Sequence, residues 1–264
     1  VPTYDQPMSR AEYEFRYKQG MAIDPVRFAM HCGFKPDPWQ VQFLQSGSKH
    51  KFLNCSRQVG KSTIVAYRAL HRAIYFPGSL ILLLSPGERQ SAELMKKVQD
   101  VYHHVKMPPP LYSEGSLQML FMNGSRILAL PGKDATIRGY SAVDVLVVDE
   151  ASQVADSLFF AIEPMLAVSG GELLTLSSPY GTRGWWYGQR KQMLIDQKEG
   201  RPNRWDYYEV PAPACPRITP DFLAAQRYSM GDWWWKQEYF CVFLDAQSAA
   251  FSEHDIDNAF SEDV

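Results

Sequence analysis

The chain has 264 residues, 45% hydrophobic and 13% aromatic, enough apolar material for a well-packed core in one large domain or a domain with an appendage. Charged residues make up 21% and the formal net charge is -2, which excludes a broadly basic, histone-like protein. One or two basic loops could still grip phosphates, so charge does not decide the partner.

Residues 1–35 read as a helical arm: Ala11–Gln19 is rich in helix formers, and Pro25 opens a second short helix. Pro36-Asp37-Pro38 breaks that pattern, and Trp39–Gln45 predicts a further short helix. From residue 51 strands and helices alternate. Phe52–Cys55 is a short buried-type strand, Lys61–Tyr75 a helix, Ser79–Leu84 a second apolar strand and Glu88–Val105 a second helix, stopped by Pro108-Pro109-Pro110. Leu117–Met122 and Arg126–Leu130 flank Asn123-Gly124, a strong hairpin signal. Val143–Val148 is a third buried strand, Ala155–Ala167 a helix and Leu173–Ser177 a fourth apolar strand. Strands that are apolar throughout and separated by helices predict a mostly parallel sheet covered on both faces, an α/β core over 36–185. Beyond 185 the pattern weakens. Helices at Thr219–Ser229 and Trp233–Tyr239 are expected to form a small lid over 186–250, with Trp233-Trp234-Trp235 packing within it.

The longest apolar run, Leu80–Leu84, is far too short to span a bilayer, and Val1–Arg10 lacks a signal peptide's apolar core. Cys32, Cys55, Cys215 and Cys241 have neither metal-type nor disulfide spacing. A soluble intracellular protein with no membrane partner is expected.

Chemistry concentrates in Cys55-Ser56-Arg57-Gln58-Val59-Gly60-Lys61-Ser62-Thr63, which follows an apolar strand and opens a helix. That is the context of a phosphate-binding loop. Backbone N–H groups would face the phosphates of a nucleoside triphosphate such as ATP, Lys61 would offset charge on the β- and γ-phosphates, and the Ser62 hydroxyl would ligate Mg²⁺. The usual pattern has glycine six residues before the lysine; here that residue is Cys55. The apolar strand Val145–Val148 ends in Asp149-Glu150, so Asp149 is a candidate for the Mg²⁺ shell and Glu150 for the base that polarises the attacking water.

Four further candidates each admit a plainer reading. Thr175, Ser177 and Ser178 end the fourth strand, where hydroxyls can sense a γ-phosphate or simply make a turn before Pro179. Gln40 can pair with the N6/N7 edge of adenine or be a surface residue beside a core tryptophan. Arg57, inside the loop, should face a phosphate or a carboxylate. Arg138, beside Gly139, is either an arginine finger reaching a neighbouring γ-phosphate or a solvated loop charge.

Taken together, Gln40, Ser56–Ser62, Val147–Glu150 and Thr175–Pro179 resemble, in order and spacing, the large terminase subunit of tailed bacteriophages, over roughly residues 36–185. The resemblance implies an additional-strand RecA-like fold, a hydrolytic ATPase using Mg²⁺, adenine contact by Gln40, phosphate and metal contacts by Lys61, Ser62 and Asp149, catalysis by Glu150, and coupling through Thr175–Ser178. It implies Arg138 as an arginine acting across a subunit interface. It also implies a homo-oligomeric ring, commonly a pentamer, on the capsid portal in the host cytoplasm, moving double-stranded DNA with a small terminase subunit as partner. Family members continue into a nuclease domain, so 251–264 is expected to begin the connection to one, and nuclease activity is not expected of this segment. A superfamily 2 helicase would need a second RecA-like domain, for which 186–264 is too short. A nucleotide-binding scaffold without turnover is the alternative from another class, and the presence of Glu150 argues against it.

Overall fold

The structure, a computed structural model, describes residues 19–132, 137 and 139–244. The expected first helix, Ala11–Gln19, falls almost wholly outside the described residues, as do Arg138 and the segment 251–264.

Eight strands form one sheet in the order β3-β4-β5-β2-β6-β7-β1-β8. They are β1 (His50–Cys55), β2 (Leu80–Ser85), β3 (Leu111–Gly115), β4 (Gln118–Phe121), β5 (Arg126–Pro131), β6 (Val145–Asp149), β7 (Glu172–Ser177) and β8 (Trp205–Val210). The pairs along β5-β2-β6-β7-β1-β8 are parallel, and β3-β4-β5 is an antiparallel meander at one edge. The Asn123-Gly124 turn joins β4 to β5 as expected, with Gly124 at φ 84°.

The central strands are apolar throughout because both faces are covered, but their residues still alternate. Leu53, Ile81, Leu83, Val145, Val147, Leu174 and Leu176 enter one core with α1 (Pro25–His31), α2 (Pro38–Gln45), α3 (Lys61–Tyr75) and α4 (Glu88–His104). Phe52, Leu82, Leu84, Leu146, Val148 and Leu173 enter the other with α5 (Asp156–Ile162) and α6 (Gly184–Lys198). There Trp186 stacks on Phe52 and Trp185 on Phe159, each with ring centroids 3.6 Å apart. The result is an α/β RecA-like sheet. Among the described residues, no helix is long and apolar enough to cross a membrane.

Several elements differ from the expectation. The third buried strand starts at Val145, not Val143, and the helix expected over 155–167 is α5 followed by a 3-10 turn, Glu163–Leu166. The helices expected at 219–229 and 233–239 are one element, α7 (Pro220–Phe240), kinked at Gly231 where φ is 77°. Trp235 packs on Phe240 beside Leu223 and Tyr239, while Trp234 is exposed. β3, α6 and β8 were not anticipated. β8 pairs with β1 from His50–Trp205 to Cys55–Val210, so the main sheet takes a strand from beyond residue 185.

One buried histidine ties the N-terminal helices to α3. His71 is 2% exposed, its Nε2 lies 2.9 Å from the Met21 carbonyl, and Phe28 and Tyr75 pack against its ring. Burial pushes its pKa down to about 4, from an ordinary 6.5, despite the hydrogen bond to Met21. The unfolded chain therefore takes up a proton that the folded chain refuses. His71 contributes stability that is present above pH 6.5 and lost as pH falls towards 4. Urea unfolding at pH 7, 5.5 and 4.5 should show stability falling across that window with a slope of about one proton, and H71Q should flatten it.

Candidate active site

The phosphate-binding loop is built where β1 ends and α3 begins. Cys55 is the last residue of β1, pairs with Val210 of β8, and is fully buried. It is not among the residues with positive φ, so the first loop position keeps an extended backbone and does not require glycine. The left-handed residues lie further on, Gln58 at φ 64° and Gly60 at φ 91°. Gly60 is needed twice over: a Cβ there would lie 2.9 Å from the Gln40 Nε2. Such a loop turns successive backbone N–H groups towards one point, and α3 adds the positive end of its dipole.

Lys61 is the first residue of α3 and is buried, with Nζ 3.8 Å from the Glu150 Oε1. Across from it, β6 delivers Asp149 and Glu150. Asp149 is 7% exposed; burial, and then the neighbouring Glu150 charge, push its carboxyl up to about 6, with Lys61 pulling the other way. Its Oδ1 accepts a hydrogen bond from the Glu150 N–H at 3.0 Å. Glu150 sits at φ 48°, a left-handed conformation that a side chain adopts only when its surroundings hold it there. Lys97 also pulls the Asp149 carboxyl down, more weakly than Lys61.

Lys61 and Glu150 line a cleft of about 420 Å³, within the usual range for ligand sites, while Asp149 is buried behind them and is not part of its wall. Its walls carry Gln40, Arg57, Gln58, Gly60, Lys61, Ser62, Thr63 and Glu150 from the sequence-predicted set. Ser56 and Val59 are buried in the loop behind it. Phe34, Lys97 and Arg217 also line the cleft and were not anticipated. No motif marks them: Phe34 precedes the Pro36 break, Lys97 sits on the polar face of α4, and Arg217 lies in the turn between β8 and α7. Only the folded topology brings them together.

The other candidates fall as follows. Arg57 faces a carboxylate: its guanidinium pairs with Glu238 of α7, and its backbone N–H donates to the Glu238 carbonyl at 3.1 Å. Gln40 is not a surface residue but has no exposed area, which corrects the plainer reading. Thr175 turns away from the cleft, donating to the Lys51 carbonyl at 3.2 Å. Ser177 shares a hydrogen bond of 2.7 Å with Ser152, two residues beyond Glu150, and neither it nor the buried Ser178 lines the cleft.

Residues 52–162 match the family model described as terminase large subunit, T4likevirus-type, N-terminal. The terminase large subunits of Thermus phage G20c and Thermus virus P23-45 are each 26% identical over an alignment of 263 residues, covering 87% of this chain and 53% of theirs. The chain thus spans about half the length of these curated relatives. Among solved structures, the large terminase ATPase domain of Thermus phage P74-26 is similar with a TM-score of 0.73 and 20% identity, over 84% of this chain and 99% of that one. The large terminase of a thermophilic bacteriophage, in complex with ATP-gamma-S, is similar with a TM-score of 0.61 and 10% identity, over 79% of this chain and 53% of that one. At these identities the two structures speak for the fold.

Proposed function

We propose that this chain, a relative of the phage large terminase subunits through their N-terminal region, binds ATP at the loop between β1 and α3 and hydrolyses it to drive the packaging of double-stranded DNA. The observation that carries the reading is that Lys61 and Glu150 lie 3.8 Å apart on the wall of a cleft formed by the loop, with Asp149 buried directly behind Glu150. A triphosphate entering there meets the loop's N–H groups, and the Lys61 ammonium leaves Glu150 for the β- and γ-phosphates. Glu150, released, takes a proton from a water aligned with the γ-phosphate.

The residues present fit a magnesium ion. Burial of Asp149 beside Glu150 leaves a carboxylate whose charge Lys61 alone does not balance. An ion held between protein and nucleotide takes one carboxylate, a hydroxyl and phosphate oxygens. Asp149 and Ser62 would hold it, and when bound it neutralises charge building on the phosphate oxygens.

The hydroxyls of Ser177 and Ser152 link the strand after the acidic pair to the segment following Glu150. Thr175, Ser177 and Ser178 then act on coupling through backbone position and not by touching phosphate. Arg57 anchors the loop to α7, which belongs to the expected lid over 186–250, although β8 within those bounds is part of the main sheet. A ring of such chains on a portal, with Arg138 crossing between neighbours and a small subunit delivering DNA, is the assembly this reading calls for. Titration with ATP and Mg²⁺ by calorimetry should give saturable one-site binding, while heat indistinguishable from buffer at millimolar ATP overturns the reading.

A further inference from the structure

Gln40 and Arg217 both line the cleft beside the phosphate-binding loop, next to Val59 and Gly60. The Gln40 Oε1 accepts the Asp37 N–H at 2.9 Å, and its Nε2 points to the Gly60 carbonyl at 3.4 Å. The Asp37 N–H can only donate and the Gly60 carbonyl can only accept, so the amide has one orientation. Both ends of that amide hold the chain itself, and Gln40 has no exposed surface. Arg217 is different. It grips the Asp37 carboxylate with both arms, Nη1 to Oδ1 at 3.0 Å and Nη2 to Oδ2 at 2.7 Å, and Nη2 lies 3.5 Å from the Val59 carbonyl. Its side chain is nonetheless 54% exposed and lines the cleft.

Asp37 uses two of the five guanidinium N–H groups, and the bidentate grip fixes the plane in which the rest point. An aromatic ring, Phe34, also lines the cleft wall, stacked on Tyr67 with centroids 4.7 Å apart. An aromatic ring and a guanidinium plane are the groups on which nucleobases rest without regard to charge.

We propose that Arg217, clasped to Asp37, is the contact for the base and ribose end of the nucleotide, and that Gln40 acts behind it as a brace of the phosphate-binding loop. This rests on the nucleotide reading above. It moves the base-end contact from a motif residue to one brought in by the segment after β8. That segment also ties α2 to the loop, since Arg217 reaches Asp37 and Val59 at once.

The test compares ATP with inorganic tripolyphosphate, which has the phosphates and neither base nor sugar, by calorimetry on the full chain with Mg²⁺. Arg217→Ala should weaken ATP at least tenfold and change tripolyphosphate less than twofold. Arg217→Lys, which keeps the charge and loses the planar fork, should weaken ATP nearly as much and secures the result should the alanine variant fail to fold. Equal weakening of both ligands would make Arg217 a phosphate counter-charge or a purely structural group and overturns the proposal, as does no weakening of either. Wild-type protein that binds neither ligand defeats the nucleotide reading itself, an outcome distinct from wild type binding both and Arg217→Ala behaving like it.

Discussion

Replacing Lys61 by alanine is expected to reduce ATP affinity on the order of 100-fold and to abolish turnover, since a charge-assisted contact to phosphate is worth about 3 kcal/mol. The size follows from the site. Lys61 is buried at the head of α3, and its ammonium has one carboxylate, Glu150 at 3.8 Å, that a triphosphate can outcompete. Backbone N–H groups would remain in Lys61→Ala, so some affinity for tripolyphosphate survives. The loss of the ammonium also removes the stronger of the two cations, Lys61 and Lys97, that now pull the Asp149 pKa down. Lys61→Met, which keeps the aliphatic stem, separates lost packing from lost charge: the two variants should lose ATP binding alike while methionine preserves the unfolding temperature better. Phosphate release at saturating ATP is the second readout. Turnover within a few-fold of wild type in either variant removes the loop from the mechanism.

The elements that carry the site were legible because their signals are local. Cys55–Thr63 and Val145–Glu150 each combine an apolar strand with the polar residues at its end, and both the start of α3 at Lys61 and the end of β6 near Asp149 follow from that junction. The missed strands are the two edges of the sheet. β3, Leu111-Tyr112-Ser113-Glu114-Gly115, is half-exposed along its length, and β8 carries Asp206 and Glu209 among its aromatic residues. An edge strand needs to bury less, so it lacks the continuous apolar run that betrays a central one. Cys55 shows the opposite limit. A pattern that asks for glycine there is about backbone angle, and the angle at this position is one any residue adopts. Arg217 was illegible for a third reason: Asp37 and Arg217 are 180 residues apart, and no local rule pairs them. Thr175 shows what a strand-end motif leaves open: its hydroxyl satisfies the Lys51 carbonyl inside the sheet and does not face the cleft.

Glu150→Gln should separate binding from chemistry. Glutamine keeps the shape of the side chain but cannot take a proton from the attacking water, so turnover at saturating ATP should fall by roughly 10²–10⁴-fold. Affinity should hold or tighten. In the free cleft Glu150 is the carboxylate that pairs with Lys61, and a neutral amide competes less well for that ammonium when the triphosphate arrives. The backbone argument points the same way. Glu150 lies at φ 48°, and glutamine has a side chain of the same shape, so the substitution is expected to change charge without relieving or adding strain at the strand end. Asp149, no longer beside a negative neighbour, should ionise more easily, which favours cation binding and again leaves ATP affinity intact. Steady-state phosphate release and calorimetric titration on the same preparations give both numbers. A variant retaining more than about a tenth of wild-type turnover, outside that 10²–10⁴-fold range, would strip Glu150 of the base role. Wild type and variant that bind ATP equally and hydrolyse it at the same negligible rate would instead make the chain a nucleotide-gated scaffold, in which the Lys61–Glu150 pair serves as a latch that ATP opens.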